Sequence, residues 1–531
     1  MTSHNIVMRQ RTLNEFFPQT PSAAGTHGRT IVLPWQEKRD ENNSPHGYIG
    51  WDIVTAALME SDTTDTSSLR ILLQVLYTRK IISETRQVLC FGVLCHVLDH
   101  VMTAEERVQF FCFTLPWMKR AVLRGPELFP QEIPILSQSD THRLLFTHEE
   151  ASTLLVCGFF SLFQGRSQVH KFGSSTGLHK LSSFNFVRLL CNEKPDRFSS
   201  QCAKVQCLLQ YFRYCARCTK EVWPCVEIYR VARTSFPDFE RSTRAMEPVV
   251  ISENLLIEES YTNLQVDFAN RCIGGGVLSS GCLQEEIRFV TSPELLLSCL
   301  VCEELLDNEV VFVAGAASYS VTEGYAKTFR YISGCTPDII PLSGRMFRVD
   351  SCEQGMHVDK VPVKLVGRND EAPRFVRNTC IVAMDAVDFS DAVDNQFRKD
   401  FIIRETHKAF VAFKGIPDST LSSVHSGPIA TGNWGCGAFG GDRELKLLLQ
   451  WCAASQAGRP LIYSAFGDIA LCNGFHKVYK KLREEEWTVG EVFTMILFCS
   501  SMFPRPRNQL FECFLTMPWC RLPLGTHLVL I

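Results

Sequence analysis

From about Gly50 to Met246 apolar residues recur at intervals of three and four. Leu69, Leu72, Leu73, Val75 and Leu76 form one such group, and Val88, Leu89, Val93 and Leu94 another. That spacing lines them along one face of an α-helix, so this half is expected to be mainly helical. Pro116, Pro126, Pro130, Pro134 and Pro224 are expected to break it into separate pieces. Beyond Met246 the pattern changes. Short runs of β-forming residues, Leu264-Gln265-Val266-Asp267-Phe268, Val310-Val311-Phe312-Val313, Ile381-Val382-Ala383-Met384 and Leu461-Ile462-Tyr463, alternate with helical stretches. One helix should start with Ser292 as its N-cap and Pro293 in its first turn. Buried strands alternating with helices predict an α/β sheet covered on both faces. Residues 340–379 are polar and aperiodic, which predicts a long insertion loop.

The first 45 or so residues lack periodic apolar spacing and are rich in Ser, Thr, Asn, Pro and Gly, the pattern of a flexible arm. The expected organisation is therefore an arm (1–45), a helical accessory region (46–246) and an α/β domain (247–531).

Composition narrows the class. The chain has 531 residues, 45% of them hydrophobic and 21% charged, enough to bury substantial cores. Its longest near-continuous apolar stretches, such as Val88 to Leu98, fall short of the roughly 18 residues a membrane helix needs, and a spanning protein is excluded. Met1 to Gln19 has no apolar core of a secretory signal, so an intracellular protein is expected. In a reducing compartment the 23 cysteines should be thiols, with no structural disulfides. Net charge is −3. Sequence-independent grip on a nucleic acid needs many cations acting together, which nothing here supplies globally, and no direct sequence-specific nucleic-acid binding is expected. A polyanion would have to be held at one local site by backbone N–H groups.

Two clusters need weighing. Cys215 and Cys218 have C-x-x-C spacing that zinc could use, with Cys202, Cys207 and Cys225 nearby. The irregular spacing of the other three favours an apolar helix face instead, and no metal is expected. In the arm, Gln10, Leu13, Phe16 and Phe17 follow the spacing of the peptide by which replication and repair proteins plug into the DNA sliding clamp. A chance match, or an arm folded back on its own domain, is the alternative.

The densest chemistry follows the Leu264–Phe268 run. In Asn270-Arg271-Cys272-Ile273-Gly274-Gly275-Gly276, three consecutive glycines let the backbone turn sharply and bring its N–H groups against an anion. Gln284-Glu285-Glu286 comes shortly after. Far downstream lies a second glycine-rich loop, Asn433-Trp434-Gly435-Cys436-Gly437-Ala438-Phe439-Gly440-Gly441. Two such loops at strand–helix junctions could clamp a diphosphate. Glycosidic hydrolysis wants carboxyl groups to protonate a leaving oxygen and to activate water. Adjacent glutamates diverge and are not the facing pair of an ordinary glycosidase, so one would move the proton while the other orients a sugar hydroxyl.

Val266 to Gly276 with Gln284-Glu285-Glu286 resembles the signature of the poly(ADP-ribose) glycohydrolase family. Ala430 to Asp442, Gly324-Tyr325-Ala326 and, more loosely, Gln210-Tyr211-Phe212-Arg213 reinforce the resemblance. It implies an α/β macrodomain, a mixed sheet covered by helices on both faces, with an N-terminal mainly helical accessory region. It also implies hydrolysis of ribose–ribose O-glycosidic bonds to release ADP-ribose, without a cofactor. By resemblance Glu286 is the general acid/base, Glu285 holds the leaving ribose and Asp267 supports the site. Asn270 and Gln284 contact substrate along the Gly274-Gly275-Gly276 turn. Ile257 and Glu258 meet the adenine, Tyr325 and Phe439 stack on the nucleotide, and Asn433, Trp434, Gly435, Cys436, Gly437 and Ala438 wrap the diphosphate. Thr322 departs from the pattern, standing where some relatives carry a tyrosine. A neighbouring carboxylate and the substrate diphosphate both disfavour an anion at Glu286, which suits a group that must carry a proton. The substrate implies poly(ADP-ribose) on modified proteins as the partner, a role in the DNA damage response, residence in the nucleus with cytoplasm as a second site, and a monomer. A binding-only macrodomain or a clamp-associated scaffold are the rival readings.

Overall fold

The computed structural model describes residues 30–36, 50–78, 89–163, 181–182, 184–191, 194–218, 224–260, 263–335, 360–363, 374–377, 379–416, 427–502 and 509–516. The clamp-type motif of Gln10, Leu13, Phe16 and Phe17 lies outside them.

Among the described residues one ten-stranded sheet organises the molecule. Its strands in chain order are β1 (His142–Phe146), β2 (Pro224–Ala232), β3 (Val249–Ser252), β4 (Leu264–Ala269), β5 (Glu309–Ala314), β6 (Lys360–Val363), β7 (Arg374–Arg377), β8 (Cys380–Asp385), β9 (Ile429–Gly432) and β10 (Leu461–Ser464). Across the sheet they run β6-β7-β2-β5-β8-β4-β9-β10-β3, with β1 antiparallel against β2. The β8-β4-β9-β10-β3 block is parallel, while β2, β5 and β8 pair antiparallel. All four strand runs read from the sequence lie in this sheet.

Period-two alternation decides what each face meets. On β5 and β8, Val310, Phe312, Ala314, Cys380, Val382 and Met384 enter one core with the helices Lys399–Lys414, Arg443–Ala457, Ile469–Glu484 and Val489–Ser501. Their neighbours Val311, Val313, Ile381 and Ala383 enter the other, built with the N-terminal helices. Among these is the 20-residue helix Phe198–Arg217, the longest described. Both faces are covered as expected, and no described helix is long and apolar enough to cross a membrane.

Several expectations need correction. The N-terminal half is mainly helical as expected, but it is not a separate layer, because its β1 and β2 join the sheet and β2 lies inside it. The stretch 340–379 is not all loop. It holds β6 and β7, four residues each and too short to show a period. Ser292 caps nothing through its side chain, and a 3-10 turn at Pro293–Leu295 precedes the helix Leu296–Val301. Pro126 sits at the first turn of its helix, where a missing N–H costs nothing, and Pro116 lies inside a helical run continuous from Ala104 to Leu123, next to its π-type turn Phe110–Thr114; neither ends the helix that holds it. Finally, Cys499 and Cys513 form a disulfide between the Val489–Ser501 and Leu510–Thr516 helices, with Cα atoms 6.3 Å apart. Compartment arguments from composition cannot register that two thiols are packed side by side.

Of the clustered cysteines, Cys202, Cys207 and Cys215 are buried on the Phe198–Arg217 helix. Cys215 meets His148, its Sγ 3.3 Å from Nε2.

Candidate active site

β4 and β9 are parallel neighbours, paired at Leu264–Ile429 and Gln265–Ala430. Their carboxyl ends therefore open side by side, and each continues into a glycine-rich loop. Ligands of open α/β sheets bind in the crevice outside such ends.

The first loop is packed with carboxylates. Gly274 and Gly275 have φ of 89° and 47°, values L-residues with side chains rarely adopt. Gly275 is also a matter of space, since a Cβ there would lie 2.7 Å from Glu285 Oε2 and 2.8 Å from Glu286 Oε1. Both glutamates stand in the first turn of the helix Gln284–Thr291, where the helix dipole favours negative charge. Glu285 accepts N–H bonds from Gly274 at 2.6 Å and Asn270 at 3.0 Å. Glu286 accepts from Gly276 at 2.9 Å and Leu283 at 2.7 Å. The carboxylates converge on one turn although they start on adjacent residues.

Asp267 comes up from β4. It is fully buried, and neither carboxyl oxygen has a hydrogen-bond partner among the described residues. Burial, then the Glu286 charge, pushes its carboxyl well above the ordinary range. Glu285 is displaced the same way, by burial first and then by Asp267 and Glu286. Desolvation penalises the charged form and outweighs the Arg288 guanidinium, which favours the Asp267 anion.

Gln284 crosses the base of the loop. Its Oε1 accepts from Phe268 N at 2.9 Å, while Nε2 donates to Glu258 Oε1 at 3.4 Å and Val266 O at 3.3 Å. Glu258 is thus brought beside the loop on the 3-10 turn Ile257–Glu259, and Ile257 is buried beneath. Asn270 closes its own turn through Oδ1, which accepts from Cys272 N at 3.1 Å.

The second loop is open where the first is filled. Gly437 and Ala438 are exposed at its tip, and a Cβ on Gly437 would meet nothing within 4 Å. The Gly441 N–H donates to Gly435 O at 2.9 Å and closes the base. Asn433 is fixed from β10, with Oδ1 accepting from Tyr463 OH at 3.1 Å and Nδ2 donating to Ala465 O at 3.1 Å. The Phe439 carbonyl accepts from Phe389 N at 2.8 Å. Burial pushes the Cys436 thiol up. Trp434 was expected to wrap the ligand, but its side chain is fully buried, with Nε1 donating to Met384 O at 3.0 Å and Lys446 Nζ 4.0 Å from its ring centre. It anchors the loop, leaving backbone as its means of reaching a ligand.

Tyr325 lies on the turn tied to the first loop by Ala326 N–H donating to Cys282 O at 3.0 Å. Its ring meets Phe466, which leaves the end of β10, at 5.2 Å. Phe466 is 60% exposed with φ of 51°, and sequence reasoning missed it. Its signal was weak: a phenylalanine before Gly467-Asp468 reads as an ordinary loop hydrophobe. Lys204 was also missed. It is fully buried on the Phe198–Arg217 helix, and its Nζ donates to the carbonyls of Val277, Ser279 and Gly281 at 2.8, 2.8 and 2.5 Å. Among the described residues no group of three or more His, Cys, Asp or Glu is arranged to hold a metal.

An α/β domain with two apposed glycine turns and a buried carboxyl cluster is the architecture of an ADP-ribose-directed macrodomain. Residues 236–473 match the family description "Poly (ADP-ribose) glycohydrolase (PARG), Macro domain fold", and residues 102–230 match its "helical domain". Among similar proteins, poly(ADP-ribose) glycohydrolase 1 of Arabidopsis thaliana is 30% identical over 79% of this chain and 85% of its own length. The probable poly(ADP-ribose) glycohydrolase 2 of the same plant is 27% identical over 76% and 80%. Poly(ADP-ribose) glycohydrolase 1 of Caenorhabditis elegans is 31% identical over 59% and 37%. The chain belongs to the poly(ADP-ribose) glycohydrolase family.

Proposed function

We propose that this protein hydrolyses the ribose–ribose O-glycosidic bonds of poly(ADP-ribose) and releases ADP-ribose, with Glu286 as general acid and base. The observation that carries the residue assignment is the seating of Glu285 and Glu286 on the N–H groups of a single triple-glycine turn, beside an open second turn. The second turn supplies backbone N–H groups for the diphosphate, which suits a chain of net charge −3. Glu286 gives its proton to the ribose oxygen that leaves as the C1–O bond breaks. The anomeric carbon passes through an oxocarbenium-like state, and Glu286, now a carboxylate, takes a proton from the attacking water.

Glu285, held by the Gly274 and Asn270 N–H groups, is placed to bond a ribose hydroxyl and so orient the sugar. Asp267, whose carboxyl burial and the Glu286 charge push upward, supports the site from the preceding strand. Tyr325 and Phe466 offer ring faces to a nucleobase at the rim. A binding-only macrodomain would need the glycine turns but not the two glutamates between them.

Glu286→Gln is the test. It should bind ADP-ribose as the wild type does and lose turnover by about 10²–10⁴-fold, the range general acid–base catalysis contributes. Retained hydrolysis would remove Glu286 from the role. We further propose that the arm docks the sliding clamp through Gln10, Leu13, Phe16 and Phe17, which carries monomeric enzyme to nuclear DNA damage. Competition by a Gln10–Pro18 peptide, with Phe16→Ala and Phe17→Ala controls, checks this separately.

A further inference from the structure

Lys204 lies 73 residues before Val277 in the chain and belongs to the helical region, yet its ammonium is inserted into the catalytic loop. It is fully buried and has no described carboxylate as a hydrogen-bond partner. Its three donors go to three backbone carbonyls, of Val277, Ser279 and Gly281. An ammonium has three N–H groups and no acceptor, so this set saturates it.

The turn it fills is tight. Gly281 N–H donates to Gly276 O at 3.0 Å, and a Cβ on Gly281 would lie 2.8 Å from Gly276 Cα and 2.6 Å from Glu286 Oε1. On one side this turn presents the Gly276 N–H to Glu286, and just beyond it the Leu283 N–H grips the other oxygen. The Cys282 carbonyl holds the Tyr325 turn. One cation thus sits under the backbone that aims the acid and the aromatic rim.

We propose that Lys204 is a positioning residue for Glu286: its ammonium gathers the carbonyls of residues 277–281 and thereby fixes the Gly276 and Leu283 N–H groups that orient the acid. The inference rests on Glu286 being the acid/base. Loss of this cation displaces the carboxylate relative to the scissile oxygen and slackens the Tyr325 turn, while leaving the second glycine turn and its grip on the diphosphate intact. A misplacement of about 1 Å at a reacting group can cost about 10²-fold.

The experiment uses the full chain. Lys204→Met keeps length and removes the donors, and Lys204→Gln keeps one polar end. Arg459→Met is the control: Arg459 is a buried cation on the carbonyls of Gly427 and Phe413, at the opposite end of β9 from the site. We expect kcat for poly(ADP-ribose) to fall about 10²-fold in both Lys204 variants, with KM and the Kd for ADP-ribose rising no more than about 3-fold through the Tyr325 turn. Arg459→Met should lower Tm and leave kcat alone. Wild-type kcat in a folded Lys204 variant overturns the inference, as does an equal kcat loss in Arg459→Met.

A measurement on the wild type covers variants that fail to fold. Burial pulls the Lys204 ammonium down to about 8, against Cys282, Glu286 and Cys207, which favour the cation, and Arg197, which opposes it. The kcat profile should therefore decline above pH 8 as the third donor is lost, and a flat profile there also overturns the inference. Turnover surviving in Glu286→Gln would instead defeat the acid/base reading, so the two failures are separable.

Discussion

The two glycine-rich turns sit at the ends of adjacent strands and are built from the same residue, but they use it in opposite ways. At Gly275 the missing Cβ is space already taken by protein, since two carboxylate oxygens come within 2.8 Å of where it would stand. At Gly437 the missing Cβ leaves space that nothing fills. The first turn spends its N–H groups on Glu285 and Glu286, and the second keeps its tip exposed. On the function proposed above, one arranges the chemistry and the other receives the ligand. Glycine content alone does not distinguish the two roles; the neighbours that crowd each Cα do.

Alanine at each position is the sharpest way to break this contrast. Gly275→Ala must adopt φ near 47°, which costs about 1–2 kcal/mol, and must also part the two glutamates. We expect kcat to fall by about 10²-fold, measured as ADP-ribose release, because the acid moves. Gly437→Ala meets no protein atom. Its kcat should hold while KM rises by about 3–10-fold, as the methyl keeps a diphosphate from approaching the backbone closely. Equal effects at the two positions would erase the distinction.

A smaller effect tests the buried carboxyl cluster of the first turn. Asp267 has its carboxyl raised by burial, so between its unfolded value of about 4 and the higher folded value the native chain holds a proton that the unfolded chain has released. Stability therefore falls as pH rises through that window. Asp267→Asn lacks this penalty and should melt about 2–4 °C higher near neutral pH, with the advantage shrinking as pH falls toward 4. Turnover should drop in the same variant. Thermal melts across pH read the first outcome, and a Tm gap independent of pH would reject it.

Much of the site was legible because its parts are local. The triple glycine, Gln284-Glu285-Glu286 and the second loop are contiguous strings, and the strands feeding them are uniform apolar runs. What escaped depends on distant contacts. Lys204 sits on a helix between Ala203 and Val205, where a lysine ordinarily reads as solvated. β2 escaped because Arg230 and Glu227 interrupt its apolar run. In the folded chain Arg230 is buried on Glu309 and on the carbonyls of Leu136, Glu303 and Glu304, partners contributed from far away. The Cys499–Cys513 bridge joins residues only 14 apart and was hidden for another reason, a compartment argument that treats all the thiols alike.

The place of β2 has a practical corollary. Six positions of β5, Glu309 to Ala314, find their hydrogen-bonding partners on a strand that precedes residue 236, where the macro-domain match begins. A fragment started there would bare that flank of the sheet, and unpaired strand edges recruit other copies. Although the two halves read as separate modules along the chain, excising the C-terminal one should yield aggregates. Shortening from the N-terminus is safe only while Cys225 to Ala232 is kept.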